Sequence, residues 1–340
     1  MRSVFRTSAA FAAVVMFALA LLSRIAVAET TYAVSFSTGE LISYDSADPT
    51  NTRTTLLPGG SLVSPGSMAM GPDGNLYIGE NGDASSFAPR ISKYEPTTLT
   101  LSTVHPFASF EVFPGSLVFQ GNDLLIGRNP FFGNIGAIVK MTNVISGTPA
   151  VSDYTTGGSL ASSPGLALAS DGQLYVSDQT YNFTSGIASG PVKRFDAAGT
   201  YVGEVIADGA SGLAGPTGLA ISGNTLYTAS IMSGTILQTD LTTDITTAFA
   251  TTGSPFEVGP LALLSDGSLL AGSPSGNGNI YQFGTDGTLL STFASGLGQV
   301  GGIATAAAVP EPGTLGLAAI GIVAGGLWLR QRRRVEGVRA

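Results

Sequence analysis

The chain has 340 residues with 15 Lys+Arg, 23 Asp+Glu, one His and no Cys, so its formal net charge is −8. The absence of cysteine excludes disulfide bonds, thiolate zinc sites and a cysteine nucleophile. The single histidine, His105, excludes a metal site built on two histidines, and the acidic balance argues against nucleic acid as a partner.

The N-terminus has the three parts of a secretory signal peptide. Arg2 and Arg6 supply positive charge, residues 11–22 are apolar, and an Ala-X-Ala cleavage pattern stands at 26–28. We therefore predict that residues 1–28 are removed on export. The alternative is an uncleaved membrane anchor, although the apolar stretch is short for a spanning helix.

The C-terminus has a second three-part pattern. A Pro-Glu-Pro motif precedes an apolar run at 314–329, which as a helix would measure about 24 Å at ~1.5 Å per residue. A basic cluster follows and would hold the C-terminus in the cytoplasm, with the body beyond the inner membrane. The residues concerned are Pro310, Glu311, Pro312, Arg330, Arg332, Arg333 and Arg334.

This C-terminal pattern resembles the PEP-CTERM sorting signal, a module also described as the ice-binding protein C-terminal domain. The resemblance covers residues 309–334 within a terminal segment at 309–340. It implies an exosortase-type processing enzyme as partner, in a Gram-negative bacterium that makes extracellular polysaccharide. The alternative is an ordinary single-span anchor with a transmembrane helix at 314–329. Both place the body, residues 29–308, outside the cytoplasm, either membrane-anchored or sorted to the cell surface.

The body is more acidic than the whole chain. It keeps seven basic and 21 acidic residues, a net charge near −14. Such a charge favours solubility and interaction with cations. It opposes anionic polymers and is compatible with neutral glycans.

The body is built from a repeat. Each copy consists of a Pro or Gly, a small-residue apolar strand, an Asp-Gly or Gly-Asn turn and a second strand. The five copies begin at Pro65, Pro114, Pro164, Pro216 and Pro260. The turn pairs tolerate positive φ, which favours hairpins. A third and a fourth strand follow in each copy. Four strands in each 45–50 residues are typical of a propeller blade.

The two ends of the body together supply one more blade. Residues 32–36, 40–44 and 53–57 form three strands without a first strand, and residues 300–304 form a lone first strand. We therefore predict an all-β, six-bladed β-propeller with one-plus-three closure. The alternative is a seven-bladed ring with one degenerate blade. Small first-strand residues are expected to line a narrow channel: Ala69, Gly115, Ala167, Gly218, Ala220 and Ala262.

The repeat resembles the NHL-repeat and SMP-30-like gluconolactonase propellers, most clearly at Pro216 to Ile221. The resemblance implies that lactonase-like members bind a metal through carboxylate or amide side chains just before their first strands. The corresponding residues in this chain are Gly66, Gly115, Gly165 and Thr217. None of these side chains can ligate through a carboxylate or an amide. We therefore predict no metal, no cofactor and no catalytic residues. The alternative is a lactonase, other hydrolase or lyase with a divalent cation such as calcium in the channel.

Individual polar residues give weaker signals. His105, at a strand end, is expected to be structural, and Asp73, Asp171, Asp266 and Asp286 to shape hairpin turns. Polar residues recur after the second strands, where rim loops of propellers bind ligands. The predicted ligand-binding set is Glu80, Asp83, Arg128, Asn129, Asp178 and Tyr181.

Aromatic loops beside these residues suit stacking on sugar rings, namely Phe131-Phe132 and Tyr181-Asn182-Phe183. Packing of these loops against the next blade is the alternative. The resulting hypothesis is an exported, non-catalytic binding or scaffold module at the cell surface or in the extracellular matrix. Its ligand would be a polysaccharide or another surface protein.

Overall fold

The computed structural model describes residues 29–306, apart from residues 84, 86, 87, 109–111, 130–135 and 183. These residues form one compact unit of β-strands. The signal peptide and the helix predicted at 314–329 lie outside the described residues. Within the described part, no helix has the length and apolar character needed to cross a membrane.

Six four-stranded antiparallel sheets make up the unit, and each sheet is one blade. Blade 1 combines the two ends of the body and comprises β26 (Val300–Ala306), β1 (Thr30–Ser35), β2 (Leu41–Asp45) and β3 (Thr54–Leu57). Blade 2 comprises β4 (Pro65–Met70), β5 (Leu76–Glu80), β6 (Arg90–Glu95) and β7 (Thr100–Pro106). Blade 3 comprises β8 (Phe113–Gln120), β9 (Asp123–Asn129), β10 (Ala137–Thr142) and β11 (Ala150–Asp153).

The other three blades follow the same order from the inside outward. Blade 4 comprises β12 (Gly165–Leu168), β13 (Leu174–Ser177), β16 (Val192–Phe195) and β17 (Tyr201–Ile206), with an inserted hairpin of β14 (Thr180–Asn182) and β15 (Ile187–Ser189). Blade 5 comprises β18 (Pro216–Ser222), β19 (Thr225–Ser230), β20 (Thr235–Asp240) and β21 (Ile245–Thr251), and a 3-10 turn at Ala210–Gly212 precedes it. Blade 6 comprises β22 (Leu261–Leu263), β23 (Leu269–Gly272), β24 (Ile280–Phe283) and β25 (Leu289–Ala294).

The predicted one-plus-three closure is confirmed. β26 pairs antiparallel with β1, with Ala304 opposite Tyr32 and Gly302 opposite Val34. The ring therefore has six blades rather than seven. Closure of this kind joins the chain ends through backbone hydrogen bonds and removes an open sheet edge.

The hydrophobic core lies between neighbouring blades. One cluster joins Tyr77 and Ile91 of blade 2 to Leu124 and Ile126 of blade 3. Each blade thus buries its two faces against its neighbours, as stacked sheets require.

The inner strands approach one another closely around the ring axis. A Cβ atom at Gly218 of blade 5 would overlap the carbonyl oxygen of Gly259 of blade 6, and one at Gly165 would overlap that of Thr217. Buried serines bridge the same gap, since Ser67 Oγ donates to the Pro114 carbonyl at 2.8 Å and Ser116 Oγ donates to the Ser163 carbonyl at 2.7 Å. Glycine and serine at these positions are therefore explained by contact between blades.

Candidate functional site

One end of the ring opens into a cavity of about 350 Å³ on the ring axis. All six blades contribute to its wall through the start of their inner strands and the residues that follow their second strands. Loops that carry ligands are positioned in this way by a rigid scaffold in many folds. We call this opening the mouth.

The same register position in each blade reaches the mouth. In each blade this position is the sixth residue, counted from the first fully buried residue of the second strand, which is Leu76 in blade 2. We call these six residues the mouth ring: Phe36, Asn81, Asn129, Gln179, Ile231 and Pro274. Five of them line the cavity, and Gln179 instead donates its Nε2 to the Pro216 carbonyl at 3.2 Å.

Large apolar side chains form the inner end of the cavity. Each blade provides one residue of its inner strand, and each is less than 10% exposed: Met68, Leu117, Leu166, Leu219, Leu261 and Ile303. We call these residues the floor ring. The predicted lining by small residues is correct for Gly115 and Gly218, whereas Ala69, Ala167, Ala220 and Ala262 do not line this cavity. Their side chains alternate with the floor ring along the strands and point into the blade interfaces instead.

The mouth is uncharged and combines apolar side chains with a few amides. The described residues that line it carry no charged side chain, although the body as a whole is acidic. The amides of Asn81, Asn129 and Gln299 provide its hydrogen-bonding groups. Asn129 Oδ1 accepts from the Ser163 amide at 2.9 Å, whereas the buried Oδ1 of Asn81 has no hydrogen-bond partner. A buried acceptor of this kind gains from a donor that a ligand supplies.

Glu80 was expected on a rim loop, and the structure corrects that position. It is the last residue of β5 and is fully buried. Its carboxylate accepts from Arg90 Nε at 2.8 Å and Nη2 at 2.7 Å, from the Ser92 hydroxyl, and from the Val63 amide at 2.6 Å. The side chain points between strands because it precedes the mouth ring by one residue in an alternating strand.

Asp178 occupies the same register position in blade 4 and has the same environment. It is buried, pairs with Lys193 Nζ at 2.6 Å and accepts from the Ala161 amide at 2.6 Å. In both blades the carboxylate joins the third strand to the loop that leads into the inner strand. These two residues therefore fix the loops at the mouth.

Arg128 is the equivalent residue in blade 3, inside β9 rather than on a loop, and its buried Nε has no hydrogen-bond partner. Asn129, the last residue of β9, lines the mouth. Asp83 is exposed and accepts from the amide and hydroxyl of Ser85. Tyr181 is 42% exposed on the inserted hairpin. Phe131, Phe132 and Phe183 lie outside the described residues.

A rim loop that sequence reasoning missed lies between blades 5 and 6. Phe256 is 39% exposed and has a φ of 60°, in the left-handed region that bulky residues rarely adopt. Its amide donates to the Ile231 carbonyl at 2.7 Å, and its carbonyl accepts from Ser273 Oγ at 3.2 Å. Phe256 is therefore held between two neighbours on the rim, because Ile231 belongs to the mouth ring and Ser273 precedes Pro274.

The next residue, Glu257, is the centre of a hydrogen-bond network. Its carboxylate accepts from Tyr281 Oη at 2.6 Å, from Asn277 Nδ2 at 2.7 Å to both oxygens, and from Ser275 Oγ at 3.3 Å. Burial acts to raise the pKa of Glu257, but these hydrogen bonds outweigh it and lower that pKa below its ordinary value. Burial and the bond to Glu257 raise the pKa of Tyr281.

The turn aspartates have the predicted geometry. Asp171 Oδ1 accepts from the Gln173 amide at 3.0 Å and Asp266 Oδ1 from the Ser268 amide at 2.8 Å, as in Asx turns. His105 is half-buried in β7, and its ring lies 4.9 Å from that of Phe107. In the described part of the chain, no three His, Asp or Glu side chains come together in a group that could hold a metal ion.

Comparison with known proteins identifies the C-terminal segment. The family model for the PEP-CTERM protein-sorting motif matches residues 308–334. The chain thus carries a PEP-CTERM sorting signal, which is associated with exosortase processing and implies export and surface sorting. No curated protein matches the sequence significantly.

Solved structures show the relationship of the fold. A chain from the crystal structure of a nidogen/laminin complex is similar with a TM-score of 0.64 and 12% identity, over 83% of this chain and 98% of that one. A Bacteroides caccae protein of unknown function gives a TM-score of 0.58 and 12% identity, over 82% and 98%. TolB from Acinetobacter baumannii gives 0.56 and 17%, over 82% and 66%. At these identities the likeness establishes the propeller fold alone.

Proposed function

We propose that this protein is an exported, non-catalytic binding module that takes a neutral, hydroxyl-rich ligand at the mouth, namely a segment of extracellular polysaccharide. The observation that carries the proposal is the uncharged lining of the mouth in a body of net charge near −14. Acidic side chains elsewhere disfavour an anionic polymer, while amides bind hydroxyl groups without a charge.

The shape and composition of the cavity support the same class of ligand. A volume of about 350 Å³ lies within the usual range of small-molecule sites. The mouth ring combines the amides of Asn81 and Asn129 with the apolar surfaces of Phe36, Ile231 and Pro274. A sugar ring has hydroxyl groups at its edge and apolar C–H groups on its faces, so it can use both kinds of surface. Of the rim residues predicted from the sequence, Asp83, Asn129 and Tyr181 remain candidates for contact with longer chains.

Export would bring the module to its ligand. We propose that an exosortase-type enzyme processes the C-terminal signal and that the apolar run at 314–329 holds the protein in the inner membrane until then. Replacing Pro310, Glu311 and Pro312 by alanine should leave the unprocessed protein in the membrane fraction. Normal release of this variant would contradict the proposed role of the motif.

The binding proposal is tested with protein purified from cells that express the full-length chain. Affinity gel electrophoresis against dextran, galactomannan and the anionic polymer alginate measures binding. We expect retardation by at least one neutral polysaccharide and none by alginate. The double variant Asn81→Ala/Asn129→Ala should lose about tenfold in affinity, as expected for loss of two amide contacts of about 0.7 kcal/mol each.

Asn224→Ala is the matched control, because Asn224 is an exposed amide residue in the turn between β18 and β19. That turn lies at the opposite end of the ring from the mouth. Failure of every neutral polysaccharide to bind would overturn the proposal. A stoichiometric divalent ion detected by mass spectrometry, with hydrolysis of a lactone, would favour the enzymatic alternative.

A further inference from the structure

We propose that Phe256 is the aromatic platform on which a sugar ring of the bound polysaccharide stacks, and that Glu257 holds it in place. This inference rests on the proposed function and names the residue that would give the site much of its affinity. The backbone of Phe256 bonds to Ile231 of the mouth ring and to Ser273, which precedes Pro274, and the residue is 39% exposed.

The backbone of Phe256 is in a conformation that needs support from its surroundings. A φ of 60° is unfavourable for a residue with a bulky side chain, and such residues persist where neighbouring contacts fix them. Glycine would adopt this conformation without strain. A large aromatic residue at such a position, exposed rather than packed, is therefore a feature that stability alone does not explain.

The contacts that fix this conformation come from both neighbouring blades. Ile231 of blade 5 accepts from the Phe256 amide, and Ser273 of blade 6 donates to its carbonyl. The adjacent Glu257 side chain is bound by Tyr281, Asn277 and Ser275 of blade 6. The loop is thus anchored on either side of Phe256, and its ring is presented without the entropy loss of ordering a mobile loop on binding.

The chemistry of the surroundings selects a neutral sugar over other ligands for an aromatic ring. The Glu257 carboxylate already accepts four hydrogen bonds from hydroxyl and amide donors of blade 6, so it holds the loop rather than offering an acceptor to a ligand. The cavity beside it offers amides and no charged group among its described lining residues. Phe256 lies outside the described lining of the cavity, so a sugar ring stacked on it would belong to the part of the polysaccharide that extends from the mouth across the rim.

The test compares full-length wild-type protein with three variants against the neutral polysaccharide that binds best. Phe256→Ala should weaken binding about fivefold, since aromatic contacts contribute on the order of 1 kcal/mol. Phe256→Tyr should retain binding. Leu289→Ala is the control for loss of an exposed apolar side chain, because Leu289 is 53% exposed on the outer strand of blade 6. The circular dichroism melting temperature of each variant confirms that it is folded.

A double-mutant cycle tests the positioning role of Glu257. Glu257→Gln should weaken binding in the wild-type background, because an amide nitrogen cannot accept from both Tyr281 and Asn277. In the Phe256→Ala background the same substitution should have no further effect on affinity, since Glu257 acts through the platform. Additive losses would show that Glu257 does not act through Phe256 and would overturn that part of the inference.

The outcomes separate this inference from the proposed function. Binding by wild type with equal binding by Phe256→Ala would overturn the platform and leave the binding module intact. Absence of binding by wild type to any neutral polysaccharide would overturn the proposed function and the inference with it. Loss of binding in Phe256→Ala alone, with Phe256→Tyr and Leu289→Ala unchanged, would support both.

Discussion

At the residue scale, alternation along the second strands separates two roles that neighbouring residues play. Glu80 ends β5 and Asp178 directly follows β13, and both are buried partners of basic side chains, whereas the next residues, Asn81 and Gln179, belong to the mouth ring. A shift of one residue in a strand moves a side chain to the other face. The rim set predicted from the sequence therefore contained the supports of the site as well as one of its lining residues.

Comparing glycine with alanine at position 256 measures the cost of the left-handed backbone conformation of Phe256. Phe256→Gly should be more stable than Phe256→Ala by about 1 kcal/mol, since the left-handed conformation costs that much for a residue with a Cβ. Urea denaturation of the two variants measures the difference. Equal stabilities would show that the loop changes conformation when the ring is lost.

Acidification should release the network around Glu257. Its pKa is lowered in the folded protein because its hydrogen bonds outweigh burial, so its contribution to stability is present above the ordinary glutamate pKa and is lost as the pH falls through the folded value. The difference in melting temperature between wild type and Glu257→Gln should be largest at neutral pH and should narrow in acid. A difference that does not vary with pH would contradict this assignment.

At the scale of the element, the loops at the mouth are held by contacts from the strands behind them. The Glu80 carboxylate receives four protein donors, from the Arg90 side chain, Ser92 and the amide of Val63. The loop from 58 to 64 is thereby joined to β5 and β6. Ser230 has the same role in blade 5, where its Oγ accepts from the Ala214 amide at 2.8 Å.

Removal of the Glu80 carboxylate should be costly. Glu80→Ala is expected to destabilise the protein by about 3 kcal/mol, because it leaves the Arg90 guanidinium and the Val63 amide without their partner. Glu95→Ala, in the surface pair with Lys93 in the same blade, should cost less than about 1 kcal/mol. Chemical denaturation measures the free energy of unfolding of both variants. A similar decrease in the two would contradict the larger contribution expected of the buried Glu80–Arg90 pair.

At the scale of the whole molecule, the ring depends on strands from both ends of the body. β26 supplies the inner strand of blade 1 and packs beside β4 of blade 2 and β22 of blade 6. Its residue Ile303 also belongs to the floor ring. The same strand therefore contributes to ring closure and to the candidate site.

Deletion of residues 300–306 from the full-length chain should abolish the single cooperative unfolding transition. Blade 1 would lose its inner strand, and the exposed edge of β1 would remain unpaired. Deletion of the 180–189 hairpin is the control, because this hairpin is a separate two-stranded sheet. It should lower the melting temperature by a few degrees at most in about 280 residues. Cooperative melting of the first variant would contradict closure by β26.

The propeller fold, its one-plus-three closure and the sorting signal could all be predicted from the sequence, which favoured six blades over seven. Each of these features rests on short sequence patterns. The patterns are hairpin turns at Asp-Gly and Gly-Asn, apolar strands at fixed spacing, and a Pro-Glu-Pro motif before an apolar run and arginines. Such signals depend on backbone preferences and periodicity within a few residues, which a single chain displays directly.

The identity of the side chains that reach the mouth depends on the packed ring. Asn81 and Asn129 reach the mouth because of where their strands end. The floor ring forms because six inner strands converge on the ring axis. Phe256 acquires its place from contacts with Ile231 and Ser273, which belong to two different blades. Contacts between segments far apart in the chain are set by packing of the whole ring, and no local pattern encodes them.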